Sequence, residues 1–174
     1  TKINIMDSAF ITADKLKLIG LINGNVEDSI LRVVIQRVQR SVVRPLLGTS
    51  LYNRISTGIS AADLNANEII LMDDYVTPLM VVACDRASID ATNYQIRNKS
   101  VSVGVDKDFK AVSESENLRL DNSIRESITI EQNTLIDYLL DNCLLYPQYD
   151  NAECSYEMKA PNTTKAKGIN FYLT

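Results

Sequence analysis

The sequence predicts a mostly α-helical bundle with a protruding β-hairpin and extended N- and C-terminal arms. Three observations carry this expectation. Apolar residues recur at helical spacing in two long segments, near 25–43 and 115–143. Between them, a segment from Glu68 to about Tyr94 is too apolar to leave a polar face, as in a central, buried helix. Past Ile96 the pattern switches to period-two alternation around a turn-rich centre. A chain of 174 residues is long enough for one compact domain with a core. It divides into an N-terminal arm with a short helix over 1–24, a helical domain over 25–148 and a C-terminal arm over 149–174.

Residues 1–11 read as an extended entry segment, after which Thr12 can cap a short helix that closes near Gly20. From about Asn25 to Val43, the residues Ile30, Leu31, Val34, Ile35, Val38, Val42 and Val43 form one apolar stripe. Arg32, Gln36, Arg37, Gln39 and Arg40 fall mostly on the other side. Arg44-Pro45 is expected to stop this helix, because the residue before a proline is pushed out of the α region. Gly48 then supplies the conformation that a tight corner requires. A second helix follows from Leu51 to about Ser56, capped by Thr49 or Ser50 and closed by Thr57-Gly58, with a polar linker over 60–67. Pro78 divides the apolar segment or marks the first turn of its second half, and Asp85 and Arg86 come where that helix should emerge.

The run from Lys99 to Ser113 is expected to form the hairpin, at about 99–114, around a Gly104-Val105-Asp106-Lys107-Asp108 centre, with Val101, Val103, Val105 and Phe109 as its candidate contact residues. An isolated hairpin is marginally stable, so it should lean on a neighbour. The last long helix runs from about Ser115 to Cys143, with Leu120, Ile124, Ile128, Leu135 and Leu139 along one face, and Pro147 after its end. The polar tail finishes on an aromatic-apolar patch that includes Phe171, Tyr172 and Leu173.

Composition narrows the chemistry. The chain has no histidine, so the commonest general base near neutral pH and the commonest zinc ligand are missing. The three cysteines are widely spaced without a CxxC motif, so neither a zinc site nor a disulfide framework is expected, and a reducing compartment is the simpler reading. Cys84 and Cys143 read as buried free thiols. Asp73-Asp74 diverge around a helix, Asp106 and Asp108 suit a turn, and no phosphate-loop, dinucleotide or nucleophile-elbow motif occurs. No enzyme, cofactor or metal is expected. Thr1 is a small residue that fits removal of an initiator methionine, and no basic-then-apolar leader or membrane-spanning stretch is read in the sequence. The net charge of −4 and a pI near 4.9 argue against a chain that grips DNA by its phosphates. Arg37, Arg40 and Arg44 share a helix face, which fits either a solvated face with ion pairs or contact with an acidic or phosphate-bearing partner.

The order of these elements resembles the head–tail connector (head-completion or adaptor) proteins of tailed bacteriophages, especially crAss-like and related phages. The resemblance rests on a helix ending in Arg44-Pro45-Leu46-Leu47-Gly48, then Leu51-Tyr52 and Ile55. An apolar helix pair, a hairpin, a long helix and a closing Leu145-Tyr146-Pro147-Gln148-Tyr149 complete it. It covers roughly residues 25–150. It implies a structural virion subunit at the head–tail junction, assembled in the host cytoplasm into a ring, usually of twelve copies. The ring would join the portal protein to adjacent tail or ring proteins and line the channel through which DNA passes without specific binding. No membrane is involved. The contacts would lie on the hairpin, on Arg37, Arg40 and Arg44, and on Phe171, Tyr172 and Leu173. The alternative from a different class is a small helical DNA-binding or regulatory domain.

Overall fold

The computed structural model describes residues 8–22, 24–97, 100–103 and 114–149, and over these the chain is mostly helical. Thr12 caps α1 (Ala13–Ile19) as expected, its hydroxyl accepting from Lys15 N at 3.1 Å, and Gly20 closes it. Of the expected entry segment, residues 1–7 lie outside the described residues. Phe10 and Ile11 are buried beside Leu16, because three large apolar side chains in seven residues are better placed on the core than in water.

The predicted stripe of α2 (Asp28–Val38) is the buried one, with Leu31, Val34, Ile35 and Val38 in the core. The helix does not stop at Arg44-Pro45. It passes through a π-helical turn, Gln39–Val43, into α3 (Arg44–Ala61), and the break comes inside α3 at Gly48 (φ 72°, ψ 164°). That backbone region is open to glycine and strained for other residues. Beyond the corner Leu51, Tyr52 and Ile55 are buried, and α3 runs past Gly58 to end on the left-handed Ala62 (φ 53°). Gly58 is there for close packing instead of termination, since a β-carbon on it would lie 2.6 Å from Leu64 Cδ2.

The linker after α3 is short. Asn65 opens α4 (Ala66–Ile70) with a reciprocal capping box, in which Asn65 Oδ1 accepts from Glu68 N and the Glu68 carboxylate accepts from Asn65 N, each at 2.9 Å. A second π-helical turn, Leu71–Val76, leads into α5 (Thr77–Asn93), so Pro78 is accommodated without dividing the helix. α5 is the centre of the bundle. It packs against both α2 and α6 (Glu114–Asp141), and Leu79, Met80, Val81, Ala83, Cys84, Asp85 and Ser88 are all buried. Asp85 therefore does not mark the emergence of the helix into solvent.

The protruding hairpin expected at about 99–114 is not supported. Ser100–Val103 instead runs antiparallel to the preceding residues Tyr94–Arg97, with Tyr94 opposite Val103 and Arg97 opposite Ser100. A two-residue connection at Asn98-Lys99 is the length that antiparallel pairing favours, so the first half of the alternating run is taken by its upstream neighbour. Val105, Phe109 and the expected turn lie outside the described residues.

α6 buries Ile124, Leu135 and Leu139, whereas Leu120 near its start is 47% exposed. A short 3₁₀ turn, Cys143–Leu145, follows, and Tyr146 and Tyr149 fold back onto the core. The Tyr146 hydroxyl donates to Asn67 O and accepts from Tyr138 OH, both at 2.9 Å, while Tyr138 stacks on Tyr75 with ring centroids 3.8 Å apart. This tyrosine cluster ties the end of α6 to the start of α4. Cys84 is a buried free thiol, pushed up to about 12 by desolvation and by Asp85, but Cys143 is disulfide-bonded, contrary to its reading as a free thiol. Among the described residues, no helix is long and apolar enough to cross a membrane.

Candidate functional site

The sequence singled out Arg37, Arg40 and Arg44, and the structure brings these three to the surface on consecutive turns. Arg37 lies in the last turn of α2, Arg40 sits in the π turn and Arg44 begins α3, all exposed. Arg44 is also positioned by the ring of Tyr52, its guanidinium 5.6 Å from the centroid. Val101 and Val103 belong to the strand Ser100–Val103, and the placement of their side chains is not described. Val105, Phe109, Phe171, Tyr172 and Leu173 lie outside the described residues.

Behind this basic face lies a polar side chain that pattern reading put on the wrong side. Gln39 is 1% exposed. Its Oε1 accepts from Phe10 N, and its Nε2 donates to Ser8 O and to the Tyr52 hydroxyl, each at 2.9 Å. One carboxamide thus reads both a backbone N–H and a backbone C=O of the entering segment and clamps it to α3. Helical spacing does carry a signal, since residue 39 stands four beyond Ile35 and eight beyond Leu31, on the edge of the buried stripe.

A second feature is a cavity of about 300 Å³ where residues 21–26 meet α5 and α6. Leu21, Ile22, Val26, Ile89, Leu120 and Ile124 make it apolar, and Asp85 is its acidic group. Burial raises the Asp85 carboxyl above its ordinary range, and the hydrogen bond it accepts from Leu21 N opposes this. Both carboxylate oxygens are within 3.1 Å of that N–H, so Asp85 holds the 20–27 connection to α5. Nearby, Asp121 pairs with Arg86 (2.9 Å) and with Arg125, joining α5 to α6. Partial burial raises the Asp121 carboxyl, but the bond from Arg125 and the charge of Arg86 outweigh it and hold it below 3.8. Chemically this is a structural region: its charged groups are engaged with the backbone or with each other. Among the described residues, no cluster of three or more Cys, Asp or Glu side chains could hold a metal ion.

Large apolar side chains also stand in water. Leu18 is 82% exposed, Leu21 80% and Leu144 75%, with Leu118, Leu120 and Ile19 also open. Singly such residues are ordinary; Leu18, Ile19 and Leu21 in four consecutive positions form a patch of the kind that marks association surfaces.

No curated protein and no solved structure matches this chain. One family model does, that of a family of unknown function, DUF6712, over residues 43–157. The match takes in α3 to α6 with the Pro45–Gly48 corner and the closing tyrosines, so Arg44 lies inside it, and Arg37 and Arg40 precede it. It spans well over half of the sequence, and the chain belongs to the DUF6712 family.

Proposed function

We propose that this chain is a structural subunit of a head–tail connector ring of tailed bacteriophages, joining the portal vertex to the tail and lining the DNA channel. The observation that carries the reading is the corner at Pro45–Gly48 leading into the buried Leu51, Tyr52 and Ile55, with the tyrosine closure at Tyr146 and Tyr149. These are the features on which the resemblance to connector proteins rests. The exposed Leu18, Ile19 and Leu21 support it physically, since a protein that works alone gains nothing by leaving such a patch in water. In this reading residues of the segment 99–114 and of the tail 149–174 make the contacts with neighbours and portal. Val101, Val103, Val105, Phe109, Phe171, Tyr172 and Leu173 are the contact residues there.

Negative-stain imaging and mass measurement of the full chain, alone and with portal protein, test it. Rings with rotational symmetry are expected, and removal of residues 150–174 should weaken the association. A chain that stays monomeric at high concentration and ignores portal would end the reading. The exposed Arg37, Arg40 and Arg44 favour one alternative, a helical DNA-binding domain. It predicts salt-sensitive duplex affinity that falls in Arg37→Ala and Arg40→Ala.

A further inference from the structure

Charge is segregated along this chain. Residues 29–62 contain five arginines (Arg32, Arg37, Arg40, Arg44 and Arg54) and no Asp or Glu. Residues 126–149 contain four carboxylates (Glu126, Glu131, Asp137 and Asp141) and no Lys or Arg. The structure turns this into two surfaces. Arg54 is withdrawn into an ion pair with the buried Glu68, and the other four arginines are exposed along α2, the π turn and the start of α3. Glu126, Asp137 and Asp141 are exposed along α6.

Each surface follows one helix face. Val33, Arg37, Arg40 and Arg44 stand at i, i+4, i+7 and i+11; Glu126, Ile130, Asp137 and Asp141 stand at i, i+4, i+11 and i+15. Each stripe also carries one bare β-branched residue, Val33 at 60% and Ile130 at 56% exposure. Because α2 and α6 both pack on α5, which is buried around most of its circumference, they cover different sides of it and their outer faces point apart. Among the described residues, Arg37, Glu126, Asp137 and Asp141 make no ion pair within the chain.

We infer that the α2–α3 arginine face of one copy docks on the acidic α6 face of the next copy, with Val33 and Ile130 as the apolar contacts. Two complementary patches on different sides of one subunit make a heterologous, head-to-tail contact, which closes into a ring when the rotation between copies closes. The inference rests on the ring reading above and names the faces that join its subunits. Opposed charges at such an interface set register and association rate more than affinity, so the contact should be sensitive to salt.

A charge-swap experiment on the full chain decides it. One variant carries Arg37→Glu and Arg40→Glu; the other carries Asp137→Lys and Asp141→Lys. All four positions are on the surface, and thermal melts by circular dichroism check that both variants fold. Analytical ultracentrifugation at about 0.1 M salt should show assembly of the wild type and, for either variant alone, association weakened by about tenfold or more. Mixed in equal amounts, the two variants should assemble again, because every junction in an alternating array then pairs opposite charges. Wild-type assembly that persists in both single variants would overturn this inference and leave the ring reading standing. So would loss of assembly that mixing does not restore, or tight duplex-DNA binding abolished by the arginine variant alone. A wild type that never associates would remove both.

Discussion

Replacing Gln39 with leucine isolates the device that holds the N-terminal segment. The side chain is 1% exposed and makes three hydrogen bonds of 2.9 Å, to Phe10 N, Ser8 O and the Tyr52 hydroxyl. Leucine keeps most of the volume and removes all three. The Phe10 N–H loses its acceptor inside the protein, at a cost of about 1–3 kcal/mol, and the two lost donations add about 1 kcal/mol between them. The added apolar burial of leucine returns part of this, leaving a net loss of about 2–3 kcal/mol. With a urea m-value of about 2 kcal/mol/M for a chain of this size, the midpoint should fall by about 1–1.5 M. The chain has no tryptophan, so far-UV circular dichroism is the suitable probe. Because the bonds hold the entering segment, trypsin should also cut at Lys15 and Lys17 faster than in the wild type under native conditions. A midpoint shift below about 0.3 M, or a full shift with unchanged cleavage at those lysines, would refute the assignment of Gln39 as the clamp.

Two further changes test local claims. Gly48→Ala places a β-carbon where no atom lies within 4 Å, so its whole cost is the glycine-only backbone at φ 72°, ψ 164°; a loss of about 1–3 kcal/mol in urea titrations is expected, and an unchanged midpoint would refute the strain. Asp85→Asn keeps an acceptor for Leu21 N and removes the charge that burial disfavours. Since the Asp85 carboxyl is raised above 3.8 on folding, the folded state binds more protons in the window above that value, and this group's contribution to stability falls as pH rises through it. Asp28, lowered by its hydrogen bond from Lys17, and Asp121 contribute the opposite slope, present above 3.8 and lost as pH falls. The difference in urea midpoint between Asp85→Asn and wild type should therefore move in the variant's favour from pH 4 toward neutrality; a constant difference would contradict the buried, raised carboxyl.

Much of the helical framework was legible because it is written in side-chain periodicity. The α2 stripe, the buried corner residues Leu51, Tyr52 and Ile55, the central apolar helix and the Leu135–Leu139 face all bury residues that helical spacing pointed inward. What periodicity could not carry was anything that changes register or competes between partners. Ser100–Val103 alternates as a strand should, but alternation says nothing about which neighbour it pairs with, and the upstream Tyr94–Arg97 is a two-residue connection away. Asp85 looked like a helix end because a carboxylate among apolar residues usually marks one; its backbone partner Leu21 lies 64 positions earlier, beyond any local pattern. Of the candidate contacts, the arginine face was visible in the sequence as a shared helix face. The acidic counterpart on α6 was visible only as the absence of lysine and arginine from residues 126–149.

The helix that runs on past Arg44-Pro45 and the one that takes Pro78 in the first turn of α5 share one physical device. A proline inside a helix lacks the N–H for the i−4 carbonyl and its ring clashes with that carbonyl, so Arg44-Pro45 and Thr77-Pro78 each ought to break the chain direction. In both places the residue before the proline instead bonds one position further back, Arg44 N–H to Gln39 O and Thr77 N–H to Met72 O. This wider turn moves the obstructed carbonyl aside just before the ring arrives, and the helix continues. The cost is an extra residue in the turn, which rotates everything around it. Gln39 stands at the start of the first such turn, four residues beyond Ile35, and faces inward to clamp Ser8 and Phe10, while Arg40 and Arg44 stay outward with Arg37. The turn that follows Gln39 therefore carries the helix past Pro45 with the arginines still on its outer side. Position 39 stands four residues beyond Ile35 and eight beyond Leu31, so the regular spacing of α2 alone brings it to the edge of the buried stripe, where its carboxamide meets the entering segment.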